Sequence, residues 1–327
     1  MSNGASRTTK PSRVWRQCVT FAAFWTMRSA LAGLGRLERD RALRLARMLV
    51  PLFALVSNRR RKGKLREFFG PSGKTPEECE LTNAANLDYL ANWAVEMGRR
   101  LVRPTQELTQ LVSVEGEQCI RSALDKGRGV LVVSAHTGAW WHIPMWLGLR
   151  GYPVTAVFKT MTFGHARDYA LHVANRYGFK LCFLEGGAGL AVRRALEKNE
   201  LVYLSFDVGM RRKQAVLLPF GHAGMEIDCG PAVLALRQRA PVVQATCALL
   251  QNGRSQLCFQ NVFDGEDGTT SAESLCARWL ELFYTELCER PGQWWLWSFT
   301  KELRPHAAAT EVRSAAGART GEGAVAD

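Results

Sequence analysis

His136 is the side chain in this sequence best placed to do chemistry. It ends an apolar run, Gly129-Val130-Leu131-Val132-Val133-Ser134, and opens the segment His136-Thr137-Gly138-Ala139-Trp140-Trp141-His142. A buried strand that gives way to small polar residues and then to a helix-like run brings an imidazole to the carboxyl edge of an α/β sheet, where such folds keep their reacting groups. A neutral imidazole near pH 7 can take a proton from a hydroxyl. A lone histidine at a strand end also serves as a plain structural hydrogen-bonder, so its surroundings have to decide.

The other histidines do not read as a metal centre. His136 and His142 are six positions apart, not the four of a helical zinc pair, and no nearby Cys or acid completes a ligand set with them, His165 or His172. The Gly-x-Ser-x-Gly elbow of a serine esterase is absent. Gly186-Gly187-Ala188-Gly189 opens a helix-like run and has amides to cradle a phosphate, yet a glycine cluster between strand and helix reads first as a tight turn. No metal and no cofactor is expected.

The elements that must position His136 alternate from Val112 onward. Strands are expected at 112–114, 129–134, 154–158, 180–184, 201–206, 216–219, 241–249 and 256–259, with helices at 117–125, from about 139, and at 165–177, 190–198, 231–238 and 271–290. Such alternation predicts a mainly parallel central sheet flanked by helices, an α/β fold. Trp294, Trp295 and Trp297 alternate enough for a final strand, packed in the core or at a membrane rim. Thr75-Pro76-Glu77-Glu78 is a strong helix start, with Thr as N-cap, Pro in the first turn and acids beside it. Leu87, Leu90, Ala91 and Ala94 follow as its expected apolar face.

Of 327 residues, 47% are hydrophobic and 22% charged, an ordinary globular balance, but the net charge of +13 is concentrated. Residues 1–66 carry sixteen Lys or Arg against Glu38 and Asp40, which leaves the rest of the chain near neutrality. Such a segment favours an anionic surface. Its aromatic and apolar runs, 14–27 and 43–56, suit a helical arm lying in a membrane interface, whereas no nucleic-acid motif follows. Arg28 interrupts the first run short of the roughly 18 to 20 apolar residues that a spanning helix needs, and no small-residue cleavage site marks a signal peptide. The nine cysteines, odd in number and partly in apolar runs, read as free thiols in a reducing compartment. Four regions are expected: a disordered basic terminus at 1–12, a membrane-associating helical arm at 13–66, an α/β domain at 67–304 and a disordered tail at 305–327.

Four blocks in order resemble the lauroyl/myristoyl (late) acyltransferase family of bacterial lipid A synthesis, within the lysophospholipid acyltransferase-like superfamily. They are Val114-Glu115-Gly116 with Lys126-Gly127-Arg128-Gly129-Val130 leading to His136; Val157-Phe158-Lys159 with Asn175-Arg176-Tyr177-Gly178; Leu204-Ser205-Phe206-Asp207-Val208-Gly209 with Val216-Leu217-Leu218-Pro219-Phe220-Gly221; and Cys229-Gly230-Pro231-Ala232-Val233-Leu234-Ala235, with Pro291-Gly292-Gln293-Trp294 echoing the family's ending. The resemblance spans about Val112 to Phe299. It implies transfer of a fatty acyl group from an acyl carrier protein or coenzyme A thioester to a hydroxyl of a lipid or glycolipid acceptor. The expected location is the cytoplasmic face of the bacterial inner membrane, on its anionic surface.

On this resemblance His136 is the general base. Arg176 matches an arginine placed to hold an oxyanion or a phosphate, and Lys159, Gly138 and Trp141 fall beside the substrate. The departure is at Trp141, where the family has an acid that orients the imidazole. An indole donates one hydrogen bond and takes no proton. Three accounts stay open: Asp207 supplies the carboxylate from across the site, His136 works alone, or the chain is an inactive lipid- or acyl-carrier-binding relative. Asp207 has a plain alternative as a turn former, and His142 is a further candidate partner for His136.

Overall fold

β-branched and aliphatic runs become the buried strands, and the Gly- and Asn-marked turns between them become crossovers. The computed structural model describes residues 13–73, 75–159, 164–184, 187–208, 215–266, 268–298 and 303–305. Three long helices come first: α1 (Arg13–Arg36), α2 (Arg39–Gly73) and α3 (Pro76–Val102). After the short α4 (Glu107–Leu111) come β1 (Val112–Glu115), α5 (Glu117–Leu124), β2 (Val130–Ser134), α6 (His142–Leu149), β3 (Val154–Phe158) and α7 (Gly164–Tyr177). Then follow β4 (Lys180–Phe183), α8 (Ala188–Glu197), β5 (Leu201–Ser205), β6 (Ala215–Phe220), β7 (Ala223–Asp228), α9 (Gly230–Gln238), β8 (Val242–Leu249), β9 (Ser255–Phe263), α10 (Ala272–Glu289) and β10 (Leu303–Pro305).

Seven strands form the main sheet in the order β1-β9-β8-β2-β5-β3-β4, and every pairing in it is parallel except β8 with β9. This is the mainly parallel, helix-flanked α/β architecture expected. β2 lies at the centre, with β8, β9 and β1 on one side and β5, β3 and β4 on the other. Val130 to Val133 are fully buried from both faces, as a central parallel strand requires. A second sheet, β10-β7-β6, is antiparallel. Its β7 was not expected, although Met225 and Ile227 alternate with Glu226 and Asp228 as a half-buried strand should.

α3 begins as the sequence indicated: the Thr75 hydroxyl accepts from the Glu78 amide at 3.2 Å and the Glu78 carboxylate accepts from the Thr75 amide at 2.6 Å. Its face differs. Of the four apolar residues expected to pack, only Ala91 is fully buried, while Asn83, Asn86, Asn92, Glu96 and Arg100 are buried among the polar ones. Neighbours cover this helix on several sides, so its polar residues serve as tethers: Asn86 donates to the carbonyls of Gly292 and Trp294, and Asn83 accepts from Arg61.

The expected boundary at residue 66 falls inside α2, where Leu65, Phe68 and Phe69 already belong to the main core. The stretch Trp294 to Trp297 is not a strand. It forms tight helical turns at Pro291–Gln293 and Trp295–Ser298, because spacing by three lets Trp294 and Trp297 bury together, their rings 4.6 Å apart. No helix among the described residues is long and apolar enough to cross a membrane. The disorder expected at 1–12 lies outside the described residues, as does that expected at 305–327 apart from Pro305, which ends strand β10.

Candidate active site

Gly138 fixes the loop that carries His136. Its φ of +52° is a left-handed conformation, and a Cβ there would lie 2.1 Å from the Cys247 carbonyl oxygen. The Gly138 amide donates to the Gln293 carbonyl at 3.0 Å, and its own carbonyl accepts from the Tyr89 hydroxyl at 2.8 Å. Trp295 donates its amide to the His136 carbonyl, and Thr137 bridges Trp294. This glycine turn delays the regular helix, which starts at His142 rather than near Ala139.

His136 leaves β2 and Asp207 follows β5, the adjacent parallel strand, with Ser134 paired to Ser205. Equal offsets from that pair bring the two side chains together: His136 Nδ1 and Asp207 Oδ1 are 2.6 Å apart. Asp207 is fully buried, and its Oδ2 accepts from the His136 amide and from the Trp294 indole, each at 2.8 Å. Oδ2 is filled by those two donors, so a proton on His136 Nδ1 aimed at Oδ1 leaves the Nε2 lone pair as the free acceptor of the ring. Trp140 lies edge-on against the ring at 4.5 Å, and the imidazole keeps a partial opening to solvent.

Glu286 of α10 was not foreseen as part of this neighbourhood. It accepts from the Thr137 hydroxyl at 2.6 Å, directly beside His136. Burial raises its carboxyl to about 7, with the Asp207 charge adding to the effect. The signal was in the sequence: Glu286 follows Phe283 by three in a stripe of buried apolar residues that includes Trp279, Leu280 and Leu287.

The structure brings His136, Gly138 and Asp207 together, but not the other candidates. Trp141 points into the core, 3% exposed, with its ring against Trp93, Trp140 and His142. It neither replaces the acid nor lines an opening. Arg176 is engaged at the end of α3, where it donates to the carbonyls of Leu101 at 3.2 Å and Arg103 at 2.6 Å. Free carbonyls at a helix C-terminus attract a cation, and this explains its position better than an oxyanion does. Lys159 is exposed just past β3. His142 bonds Ser255 at 3.0 Å instead of His136, and burial pushes its pKa well below the usual value. Among the described residues no three His, Cys, Asp or Glu converge as a metal site.

The profile of the family described as bacterial lipid A biosynthesis acyltransferase matches residues 14–301. The chain belongs to that family. No curated protein matches it in a direct sequence comparison. As a lipid A acyltransferase family member it is an acyltransferase, with an acyl donor and a lipid acceptor. A residue that accepts a hydroxyl proton, braced by a buried carboxylate, is what O-acyl transfer by such an acyltransferase requires. Trp294, from the family's Pro-x-Gln-aromatic ending, gains a defined contact in this acyltransferase: its indole holds the acid.

Proposed function

We propose that this acyltransferase moves a fatty acyl group from an acyl carrier protein or coenzyme A thioester to a hydroxyl of a lipid A precursor-like glycolipid, with His136 as general base and Asp207 as the carboxylate that orients it. His136 Nε2 takes the acceptor's hydroxyl proton as its oxygen attacks the thioester carbonyl carbon. The carbon–sulfur bond then breaks, and the imidazolium returns the proton to the departing thiolate. Asp207 stabilises the imidazolium and fixes its tautomer. The observation that carries this reading is the 2.6 Å bond between His136 Nδ1 and the buried Asp207. It supplies the carboxylate that Trp141 cannot.

The reading includes work at the cytoplasmic face of the inner membrane. Leu45, Met48, Leu52 and Leu55 are exposed along one face of α2 at spacings of three and four, while Ala42, Leu43 and Ala46 pack inward. An exposed apolar stripe flanked by the exposed Arg41, Arg44, Arg59 and Arg60 supports docking on an anionic bilayer. The basic cluster is smaller than the sequence suggested, because Arg61 is buried against Asn83 and Lys62 pairs with Glu80.

The test is acyl transfer by the purified full chain, with acyl carrier protein and coenzyme A thioesters offered separately to a panel of lipid A precursors and phospholipids. A glycolipid ester product that disappears in His136→Ala is expected. Equal product from wild type and His136→Ala sinks the mechanism, and no product from any pair favours the non-catalytic, acyl-binding alternative.

A further inference from the structure

A second cluster of cations has no part in this chemistry. Arg100, near the end of α3, is 2% exposed, and none of its three guanidinium nitrogens has a hydrogen-bond partner among the described residues. Its ion-pair partner Glu107 stands 3.8 Å away, beyond hydrogen-bond reach. A guanidinium is among the most unfavourable groups to bury with its donors unfilled.

Arg100 borders a largely closed cavity of about 90 Å³, several times the space that one water needs. Arg28 of α1 and Tyr169, His172, Arg176 and Tyr177 of α7 share its wall, and no carboxylate among the described residues does. Arg28 lies with its guanidinium carbon 5.0 Å from the Tyr169 ring centroid, and its Nε is also buried without a hydrogen bond. Water filling such a space satisfies donors but brings no negative charge, and Glu107 offsets only part of the charge of the three arginines from 3.8 Å. A tetrahedral oxyanion supplies acceptors and charge together, and it pairs with a guanidinium through two parallel bonds.

We propose that the cavity between α1, α3 and α7 is a binding site for a phosphate-sized oxyanion, held chiefly by Arg100 and Arg28, which fastens α1 to the body of the enzyme. The ligand group is a phosphate. Two sources carry it: inorganic phosphate, or the headgroup of a lipid lying beside the exposed Phe21 and Met27 of α1. The site stands apart from His136 and does not depend on the reaction assigned there.

Thermal unfolding and hydrogen exchange of α1 in the full chain test it, with inorganic phosphate titrated against chloride at matched ionic strength. A separate arm uses vesicles of phosphatidic acid or phosphatidylcholine in phosphate-free buffer. Wild type, Arg100→Met and Arg28→Gln are compared. Arg100→Met removes an unfilled buried charge, so it should fold at least as well as wild type without ligand. If it does not, Arg28→Gln at the α1 wall carries the comparison.

In wild type, phosphate or phosphatidic acid should raise the melting temperature saturably by several degrees and slow exchange in α1. The gain should vanish in Arg100→Met, and the apparent Kd should weaken about tenfold in Arg28→Gln. Protection by free phosphate alone identifies the soluble source. Protection by phosphatidic acid vesicles alone, lost in Arg100→Met, identifies the headgroup. A wild type that responds to neither beyond the chloride control, or variants that respond as wild type does, overturns the proposal.

Discussion

At the scale of single residues, the proposed mechanism gives Asp207 the orienting role that the sequence motif assigns to position 141. Trp294 is the least obvious contributor, because its indole N–H donates to that carboxylate at 2.8 Å from the far end of the folded chain. Trp294→Phe keeps most of the packing against Phe283 and Trp297 and removes the donor. It should lower kcat about tenfold or more while changing KM little, since a hydrogen bond to a charged group contributes about 1.5–3 kcal/mol. Steady-state kinetics checks this, and an unchanged kcat counts against the role. Glu286 gives a different signature. Its carboxyl is raised to about 7 from an ordinary 4.5, so the folded protein holds this proton more tightly than the unfolded chain does. The associated stability is complete below 4.5 and is lost as pH climbs towards 7. Glu286→Gln can still accept from Thr137 and does not ionise. Relative to wild type it should gain stability across that window, by up to about 3 kcal/mol, in urea midpoints measured pH by pH. A difference that does not vary with pH contradicts the account.

At the scale of elements, the parallel pairing of β2 with β5 is what converts two distant residues into a pair. The strands themselves were legible, because runs such as Val130 to Val133 and Leu201 to Leu204 have the texture of buried parallel strands. Their adjacency was not, since the chain visits β3 and β4 between them, and only the resemblance pointed to Asp207. Periodicity misplaced the face of α3 for a related reason: a helix covered on several sides buries polar tethers that an apolar pattern leaves out. The partners of Arg176 are backbone carbonyls, which no sequence displays. On α2 the exposed stripe is a claim about one element and can be tested there. Replacing Met48, Leu52 and Leu55 together by Gln should reduce sedimentation with phosphatidylglycerol vesicles at least about tenfold, because each loses an apolar surface available for burial. The melting temperature should hold, as these side chains are mostly exposed; an unaffected vesicle affinity rejects α2 as the docking face.

At the scale of the whole molecule, charge and chemistry are separated. The first 66 residues hold all of the excess positive charge, whereas the rest of the chain, with His136 in it, is close to neutral overall. If the arm docks the enzyme, attachment to anionic vesicles should weaken steeply between low and physiological ionic strength, where the screening length falls to about 8 Å. Turnover of a water-dispersed acceptor should change far less. Parallel loss of both with salt would mean that the basic segment acts at the active site instead of at the surface. The core contributes rigidity: Tyr89 and Asn86 of α3 and Gln293 after α10 clamp the Gly138 loop and the Trp294 segment, so the proposed base is placed by two separate parts of the fold.

The central claim is that Asp207 acts through His136. A double-mutant cycle of kcat/KM for acyl transfer, with Asp207→Asn, His136→Ala and both, measures it most directly. Asp207→Asn alone should cost about 10³- to 10⁴-fold, and in the His136→Ala background it should cost almost nothing. Losses that multiply in the double variant, or an Asp207→Asn enzyme within a few fold of wild type, would contradict it.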